Sequence, residues 1–453
     1  EESYIALFSS IKEYNLTKII HLQSLCGDEP ETMQQFKEGQ KNGVMSLYYM
    51  TRALCTVLAN KEIEIVLVSN YVNEVTRKEE RIYPQAAALF GLGKVIGQEY
   101  TNLYCRGIDI DCHTKMEEIV KELKYGKDVY QVAYRKGQRF IEELHELDEG
   151  KIGDLNIQIH QDGIYIITGG MGGIGLEFSR YLAGNGPVKL ALFNRTQFPP
   201  REKWDAIIAR QENFKVINKI LAIQEIEAKG SEVFIYSLDV TDYDAVNKIL
   251  CELRDKYGKI SGIIHSAGII KDALIKNKDE AQFKNILGVK MEGTWILDKL
   301  TEQDELEFFV VFSSIASLLG GVGKGDYVAG NAYLDAYAAY RNKKGKRTLS
   351  ISWPVWKDAG MAVDNYANYD GIFKSIEIKK AIRCFDKIWN KNINKVIIGS
   401  INNKKYRLKN IPITNLRSIK IVYLKMEEQQ KRAVGVKLEG RKDKEYSELE
   451  QKL

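Results

Sequence analysis

No stretch of the chain is apolar over the roughly eighteen residues that a membrane-spanning helix needs, so no membrane span is expected. The first residues, Glu1-Glu-Ser, lack the charged-then-apolar order of a secretory signal; they read as an internal boundary of a longer, cytoplasmic polypeptide. The six cysteines (Cys26, Cys55, Cys105, Cys112, Cys251, Cys384) form no Cys-x-x-Cys pair. Most sit in apolar runs and are expected to be reduced structural thiols. The five histidines make no His-Glu-x-x-His and no close pair, so no metal site is expected. A basic surface is missing too. The net charge is +5, but residues 402–453 hold 14 Lys/Arg against 7 Asp/Glu, which leaves −2 for the rest. A near-neutral body with a basic tail argues against nucleic-acid binding and for a solvated linker.

What the chain does have is alternation. Apolar runs of strand length occur at 164–168, 188–193, 233–238, 262–267, 307–312, 348–353 and 395–400, with helix-length segments between them. That order predicts a parallel sheet covered on both faces, here a seven-stranded, doubly wound, Rossmann-type unit over 151–405. Residues 1–150 repeat the pattern in eroded form. Lys18-Ile-Ile-His-Leu, Ile63-Glu-Ile-Val-Leu-Val and Gly107-Ile-Asp-Ile-Asp read as strands, 43–59 and 85–100 as helices, and 132–141 as a closing hairpin. A polar join covers 145–162, and 406–453 lose periodicity and read as a linker. Gly91-Leu-Gly93-Lys-Val-Ile-Gly97 imitates a dinucleotide fingerprint, yet it continues the helical Gln85-Ala-Ala-Ala-Leu-Phe, so close helix packing is the better reading.

A second glycine cluster has the right context. Thr168-Gly-Gly-Met-Gly-Gly-Ile-Gly175 follows the strand at 164–168 and opens a helix near Gly173. Gly170-x-Gly172-x-x-Gly175 permits a tight turn, and the helix N-terminus offers N–H groups to a pyrophosphate. The second strand ends in Asn194-Arg195-Thr196, with no carboxylate for a ribose hydroxyl; Arg195 suits a 2′-phosphate, which favours NADPH. Asp239-Val240 closes the third strand, where Asp239 either meets the adenine edge or caps the helix starting at Thr241. Ser266-Ala267-Gly268 closes the fourth, small enough for a cofactor to lie against the backbone.

Ser314, Tyr327 and Asn331 follow in Phe312-Ser-Ser-Ile-Ala-Ser-Leu-Leu-Gly-Gly-Val-Gly-Lys-Gly-Asp-Tyr327-Val-Ala-Gly-Asn331. Reducing a ketone needs hydride on carbon and a proton on oxygen. A phenol, with a pKa of about 10, can give that proton when a nearby ammonium lowers its pKa. Lys290, in Gly288-Val-Lys-Met-Glu-Gly293, is the candidate ammonium. Ser314 can hold the carbonyl oxygen, and Asn331, one helical turn after Tyr327, can orient the lysine or a relay water.

Together these motifs resemble the short-chain dehydrogenase/reductase superfamily and, within it, the ketoreductase domains of modular polyketide synthases. The superfamily at large has Tyr-x-x-x-Lys; these ketoreductases have Tyr-x-x-x-Asn, with the lysine on the preceding helix, as in Tyr327, Asn331 and Lys290. Gly330-Asn-Ala-Tyr-Leu-Asp335-Ala, Ser352-Trp-Pro-Val-Trp-Lys-Asp-Ala-Gly-Met361, Ala88-Leu-Phe-Gly-Leu-Gly-Lys-Val-Ile and Ile108-Asp-Ile-Asp also fit. The resemblance implies that 1–150 is a structural Rossmann-like subdomain without cofactor. It implies reduction by NADPH of a β-ketoacyl thioester carried by the phosphopantetheine arm of an acyl carrier protein, among neighbouring polyketide synthase domains. Tyr327 becomes the proton donor, Ser314 the carbonyl partner, and Lys290 and Asn331 the support and relay. Thr168, Gly173, Ile174, Val240, Pro354 and Val355 join the cofactor set.

The resemblance also bears on stereochemistry. The subtype giving the D-hydroxyl carries Leu-Asp-Asp after the fourth strand, where this chain has Ile270-Lys271-Asp272; the opposite subtype has Trp three residues before the tyrosine, where this chain has Lys324. A D-hydroxy product is therefore expected. Met361 and the residues to 380 match the family's lid helix. A long helical insertion at 201–229 is like that of assembly lines with separate acyltransferases. The tail suits a linker to a carrier domain. The alternatives are a free-standing reductase of small ketones or alcohols and a module that binds no cofactor.

Overall fold

The computed structural model describes residues 1–25, 29–126, 129–360 and 372–401. Two sheets organise them. The first has the order β1 (Lys18–His21), β2 (Ile63–Asn70), β3 (Leu103–Ile110), β4 (Gln131–Arg135), β5 (Gln138–Ile141), parallel except for the closing β4–β5 hairpin. The second contains β6 (Ile164–Thr168), β7 (Lys189–Asn194), β8 (Glu232–Ser237), β9 (Ile260–His265), β10 (Phe308–Ser314), β11 (Thr348–Trp353) and β12 (Lys395–Ile397). Its order, β12-β11-β10-β9-β6-β7-β8, is parallel throughout. The strand order reverses between β6 and β9, which opens a crevice at their carboxyl ends.

Burial explains the strand compositions. Every residue of β6 is buried, as expected of an inner strand covered on both faces. Thr-Leu-Ser-Ile-Ser-Trp of β11 alternates as a half-wet strand would, yet it too is buried throughout. Its serines are satisfied internally: Ser350 Oγ donates to Asp335 at 2.7 Å. Helix starts are capped locally. Asp242 accepts from Ala245 N at 3.0 Å ahead of α9 (Tyr243–Tyr257), and Asp279 from Gln282 N at 2.9 Å ahead of α10 (Glu280–Leu300).

The two subdomains share a core. One apolar cluster runs from Phe36, Leu54 and Leu92 through Phe283 and Trp295 to Val328 and Tyr333 and on to Ile164, Ile263 and Val311 of the second sheet. Its centre is the packing of α4 (Pro84–Glu99) on α12 (Gly325–Lys343). A Cβ on Gly91 would lie 2.9 Å from Ala332 Cβ and 3.0 Å from Ala329 Cα. The imitation fingerprint is thus a helix contact. The opposite face of the second sheet packs on α6 (Gly173–Ala183), α8 (Phe214–Ala228) and the helix Ile378–Ile388.

The helical insertion at 201–229 is built of a 3₁₀ turn (Arg201–Lys203), α7 (Trp204–Arg210), which ends at the left-handed Gln211 (φ 53°), and α8. Other expectations need adjustment. The last strand stops at Ile397. The helices Glu2–Ser10, Met33–Gln40 and Met116–Tyr125 were not legible as such. Met361 with the residues to 371, and the tail 406–453, lie outside the described residues. Among the described residues no helix is long and apolar enough to cross a membrane.

Candidate active site

The glycine cluster sits at the β6–β9 crevice. After Thr168 the chain turns through Gly169 (φ 65°), and Gly172 N donates to Gly169 O at 2.8 Å. A Cβ on Gly170 would stand 2.8 Å from both Ile167 O and Leu192 Cβ, and one on Gly175 would stand 2.4 Å from Gly169 O. Gly172 precedes α6 without any side-chain cap, so the first N–H groups of the helix face the crevice unclaimed by a side chain. Gly173 and Ile174 lie under Ala359-Gly360. Space, bare backbone and an N-terminal dipole together fit a dinucleotide pyrophosphate.

The rest of the predicted cofactor set surrounds this turn. The Thr168 hydroxyl donates to His265 Nδ1 at 2.7 Å and accepts from Ala267 N at 3.2 Å, and Ser266 Oγ donates to Thr168 O at 2.6 Å. These bonds lock Ser266-Ala267-Gly268 beside the turn. Asn194 Nδ2 donates to Thr196 O at 2.6 Å, shaping the loop that presents exposed Arg195, whose guanidinium reaches Asn285 Oδ1 at 3.4 Å. Asp239 accepts from Thr241 N at 2.9 Å and from its hydroxyl at 2.7 Å, and Asp242, not Asp239, caps the helix. The Val240 side chain packs into the core against Gly293. Pro354 and Val355 follow β11, and Val355 O accepts from Ile376 N at 2.8 Å.

The four residues expected to carry out the reduction come from three elements. Ser314 ends β10, Lys290 lies on α10, and Tyr327 and Asn331 occupy the first turns of α12. Tyr327 sits between the side chains of Ser314 and Asn331. Burial raises its phenol pKa; hydrogen bonding to Ser314 and Asn331 pulls the other way, and the charge of Asp272 adds to the rise. The sequence expectation was the reverse, a phenol lowered by Lys290. The lysine instead lies 3% exposed and donates to Phe312 O at 2.7 Å. Burial lowers its own pKa to about 7, with Asp335 opposing. Asn331 Nδ2 donates to Tyr327 O at 2.7 Å, and its Oδ1 is buried with no partner among the described residues. Of the residues expected to bear on stereochemistry, Lys324 Nζ lies 3.9 Å from Asp272 Oδ2.

The comparisons with known proteins follow this geometry. Residues 163–358 match the family model described as KR domain, and residues 1–127 match one described as Beta-ketoacyl synthase-like, N-terminal. Over residues 163–358 the chain is a KR domain, similar to those of modular polyketide synthases. KR domains are oxidoreductases that reduce ketones with a nicotinamide cofactor. Polyketide synthase PksN of Bacillus subtilis (strain 168) is 32% identical over 353 residues, covering 74% of this chain and 6% of that protein. The 6-methylsalicylic acid synthase of Penicillium patulum is 30% identical over 298 residues, covering 64% of this chain and 16% of that protein. The KR domain thus spans only a small part of these curated relatives. Among solved structures, an N-terminal ketoreductase from the macrolactin assembly line has a TM-score of 0.73 at 24% identity, covering 89% of this chain and 77% of that one. A keto acid-selecting NRPS module with adenylation, ketoreductase and pseudo Asub parts has a TM-score of 0.77 at 20% identity, covering 98% and 38%. These two share the fold.

Some participants escaped sequence reasoning. His265 joins β6, β9 and α10: its Nε2 donates to Val289 O at 3.1 Å, while burial and the Lys290 charge drop its pKa to about 3 and keep it neutral. Its only sequence signal is a polar ring in Gly262-Ile-Ile-His265. Asp335, one turn past Asn331, accepts from Ser317 Oγ at 2.6 Å and pairs with Lys395 at 3.0 Å. Asp326 and Lys278 form an ion pair at 2.8 Å, each side chain 1% exposed.

Proposed function

We propose that this KR domain reduces a β-ketoacyl thioester, presented on the phosphopantetheine arm of an acyl carrier protein, to the D-β-hydroxyacyl thioester with NADPH. The observation that carries this reading is a buried tyrosine phenol interacting with the Ser314 and Asn331 side chains, in a unit whose glycine turn follows the strand at the switch point of a parallel sheet. Residues 170–175 and 266–268 would hold the cofactor against bare backbone, with Arg195 beside its 2′-phosphate. When bound, the nicotinamide supplies a hydride to the β-carbonyl carbon.

The chain's own groups handle the oxygen. The Ser314 hydroxyl orients the carbonyl and supports the developing negative charge. Because its pKa is raised, the Tyr327 phenol stays protonated at neutral pH and gives its proton to the oxygen as the C–H bond forms. Lys290, near pKa 7, exchanges protons readily at that pH. Asn331 would orient a relay water between the lysine and the phenol. Asp272 and Lys324 at the mouth would set the face presented to the hydride. Residues 1–150 would then be the structural subdomain, and 406–453 a linker toward a carrier domain among neighbouring synthase domains.

The test is NADPH oxidation with acetoacetyl N-acetylcysteamine thioester, with chiral analysis of the product. Tyr327→Phe is expected to cut kcat by about 10²–10⁴-fold with NADPH binding retained. Equal rates in the two proteins would remove Tyr327 from the chemistry, and an L product would overturn the stereochemical assignment.

A further inference from the structure

The end of α4 does more than pack. Its residues Gln98 and Glu99, with Tyr100 next in the chain, reach into the two loops that flank Tyr327. Glu99 Oε2 accepts from Ile275 N at 2.8 Å, on the segment that carries Asp272. Glu99 Oε1 accepts from Gly323 N at 2.9 Å, one residue before Lys324 and four before Tyr327. One carboxylate therefore joins both loops. Gln98 Nε2 donates to Leu319 O at 2.8 Å, and the Tyr100 hydroxyl accepts from Lys276 N at 3.0 Å. One turn back, Lys94 Nζ donates to Ser317 O at 3.0 Å, three residues after Ser314. The loops also touch each other, Ala273 N donating to Gly323 O at 2.9 Å, and a Cβ on Gly323 would lie 3.6 Å from Asp272 Cβ.

A carboxylate accepting two main-chain N–H groups fixes two backbones at once. Both backbones carry a residue to which the proposed reaction gives stereocontrol, Asp272 on one and Lys324 on the other, and sub-ångström placement matters at such positions. We infer that Glu99, on the subdomain that binds no cofactor, is a positioning residue that sets the spacing of the Asp272 and Lys324 loops, and through it the stereochemical outcome and turnover. This inference rests on the reduction proposed above.

The experiment compares wild type, Glu99→Ala and Glu99→Gln with NADPH and acetoacetyl N-acetylcysteamine thioester. It reads kcat, KM, the D:L product ratio, NADPH affinity by fluorescence, and hydrogen exchange of residues 271–278 and 319–324. Glu99→Ala is expected to lower kcat/KM about tenfold to a hundredfold and the D:L ratio at least about tenfold. NADPH affinity should stay within about twofold, and the Ile275 and Gly323 amides should exchange faster. Glu99→Gln, which keeps one carbonyl oxygen, should fall between, and it decides the matter alone if Glu99→Ala does not fold. A wild-type product ratio and exchange pattern in the folded variants would overturn the inference. So would a loss of NADPH affinity in step with activity, because Glu99 would then only support the fold. If wild type reduces no thioester, the proposed reaction fails instead, and the exchange measurement still judges Glu99.

Discussion

Two glycine-to-alanine changes give opposite expectations from the same chemistry. At Gly175 the new methyl would stand 2.4 Å from Gly169 O, 2.8 Å from Gly170 Cα and 3.0 Å from Gly169 C. All three are main-chain atoms, so no side-chain rotation can relieve them. Restoring ordinary contact, about 3.5 Å, requires α6 to withdraw from the turn by roughly 1 Å. Overpacking of that kind costs about 1–3 kcal/mol. At about 1 °C per kcal/mol for a chain of this length, a central value of about 2 kcal/mol lowers Tm by about 2 °C. The same withdrawal moves the helix N–H groups away from a pyrophosphate, and losing one charge-assisted hydrogen bond, about 1.5–3 kcal/mol, weakens NADPH binding about 10- to 100-fold. At Gly97 the methyl would meet only Cys105 N at 3.9 Å, inside α4. There Gly97→Ala removes the flexibility cost of a helical glycine and should stabilise by about 0.5–1 kcal/mol. Thermal denaturation and NADPH fluorescence titration measure both. A Gly175→Ala protein with unchanged Tm and affinity, or a Gly97→Ala protein that falls as far, would refute the two assignments of the glycine clusters.

Three further outcomes are expected. Arg195→Ala should weaken NADPH about 10- to 100-fold while leaving NADH nearly unchanged, and parallel losses for both would argue against a 2′-phosphate contact. Lys290 has a folded pKa depressed to about 7 against an unfolded value near 10.4. Between those values the unfolded chain binds the extra proton, so the lysine's contribution to stability rises with pH from about 7 to about 10. Urea denaturation across that range should show Lys290→Met losing this slope; identical slopes would mean the ammonium is not desolvated. Lys278→Met strands the buried Asp326 carboxylate and should cost about 3–5 kcal/mol, with much of it recovered in Lys278→Met/Asp326→Leu.

The seven strands of the second sheet were legible because each is an apolar run bounded by polar helix starts, and a parallel sheet buried on both faces demands such runs. β11 shows the limit. Its serines look like a wet face, and only the carboxylate of Asp335 on α12 makes that face dry. The short helices of the first half escaped because their apolar faces are narrow and their burial comes from partners distant in sequence. In the candidate site, the spacing of Tyr327 and Asn331 made them neighbours in advance, since residues one turn apart on a helix stay neighbours wherever that helix docks. Lys290 is the counterexample. Its element was correct, but its bond to Phe312 O and the upward shift of the Tyr327 phenol follow from burial, which spacing does not encode.

The sequence by itself therefore determined the strand alternation and the glycine turn ahead of α6, because each depends on residues close in the chain. Tertiary structure alone decided that the glycines of α4 make a helix contact, that burial raises the Tyr327 phenol and lowers Lys290, and that Glu99 bonds the loops of Ile275 and Gly323. Those outcomes depend on desolvation and on main-chain groups brought together across more than a hundred residues of chain, as Glu99 and Gly323 are at 2.9 Å.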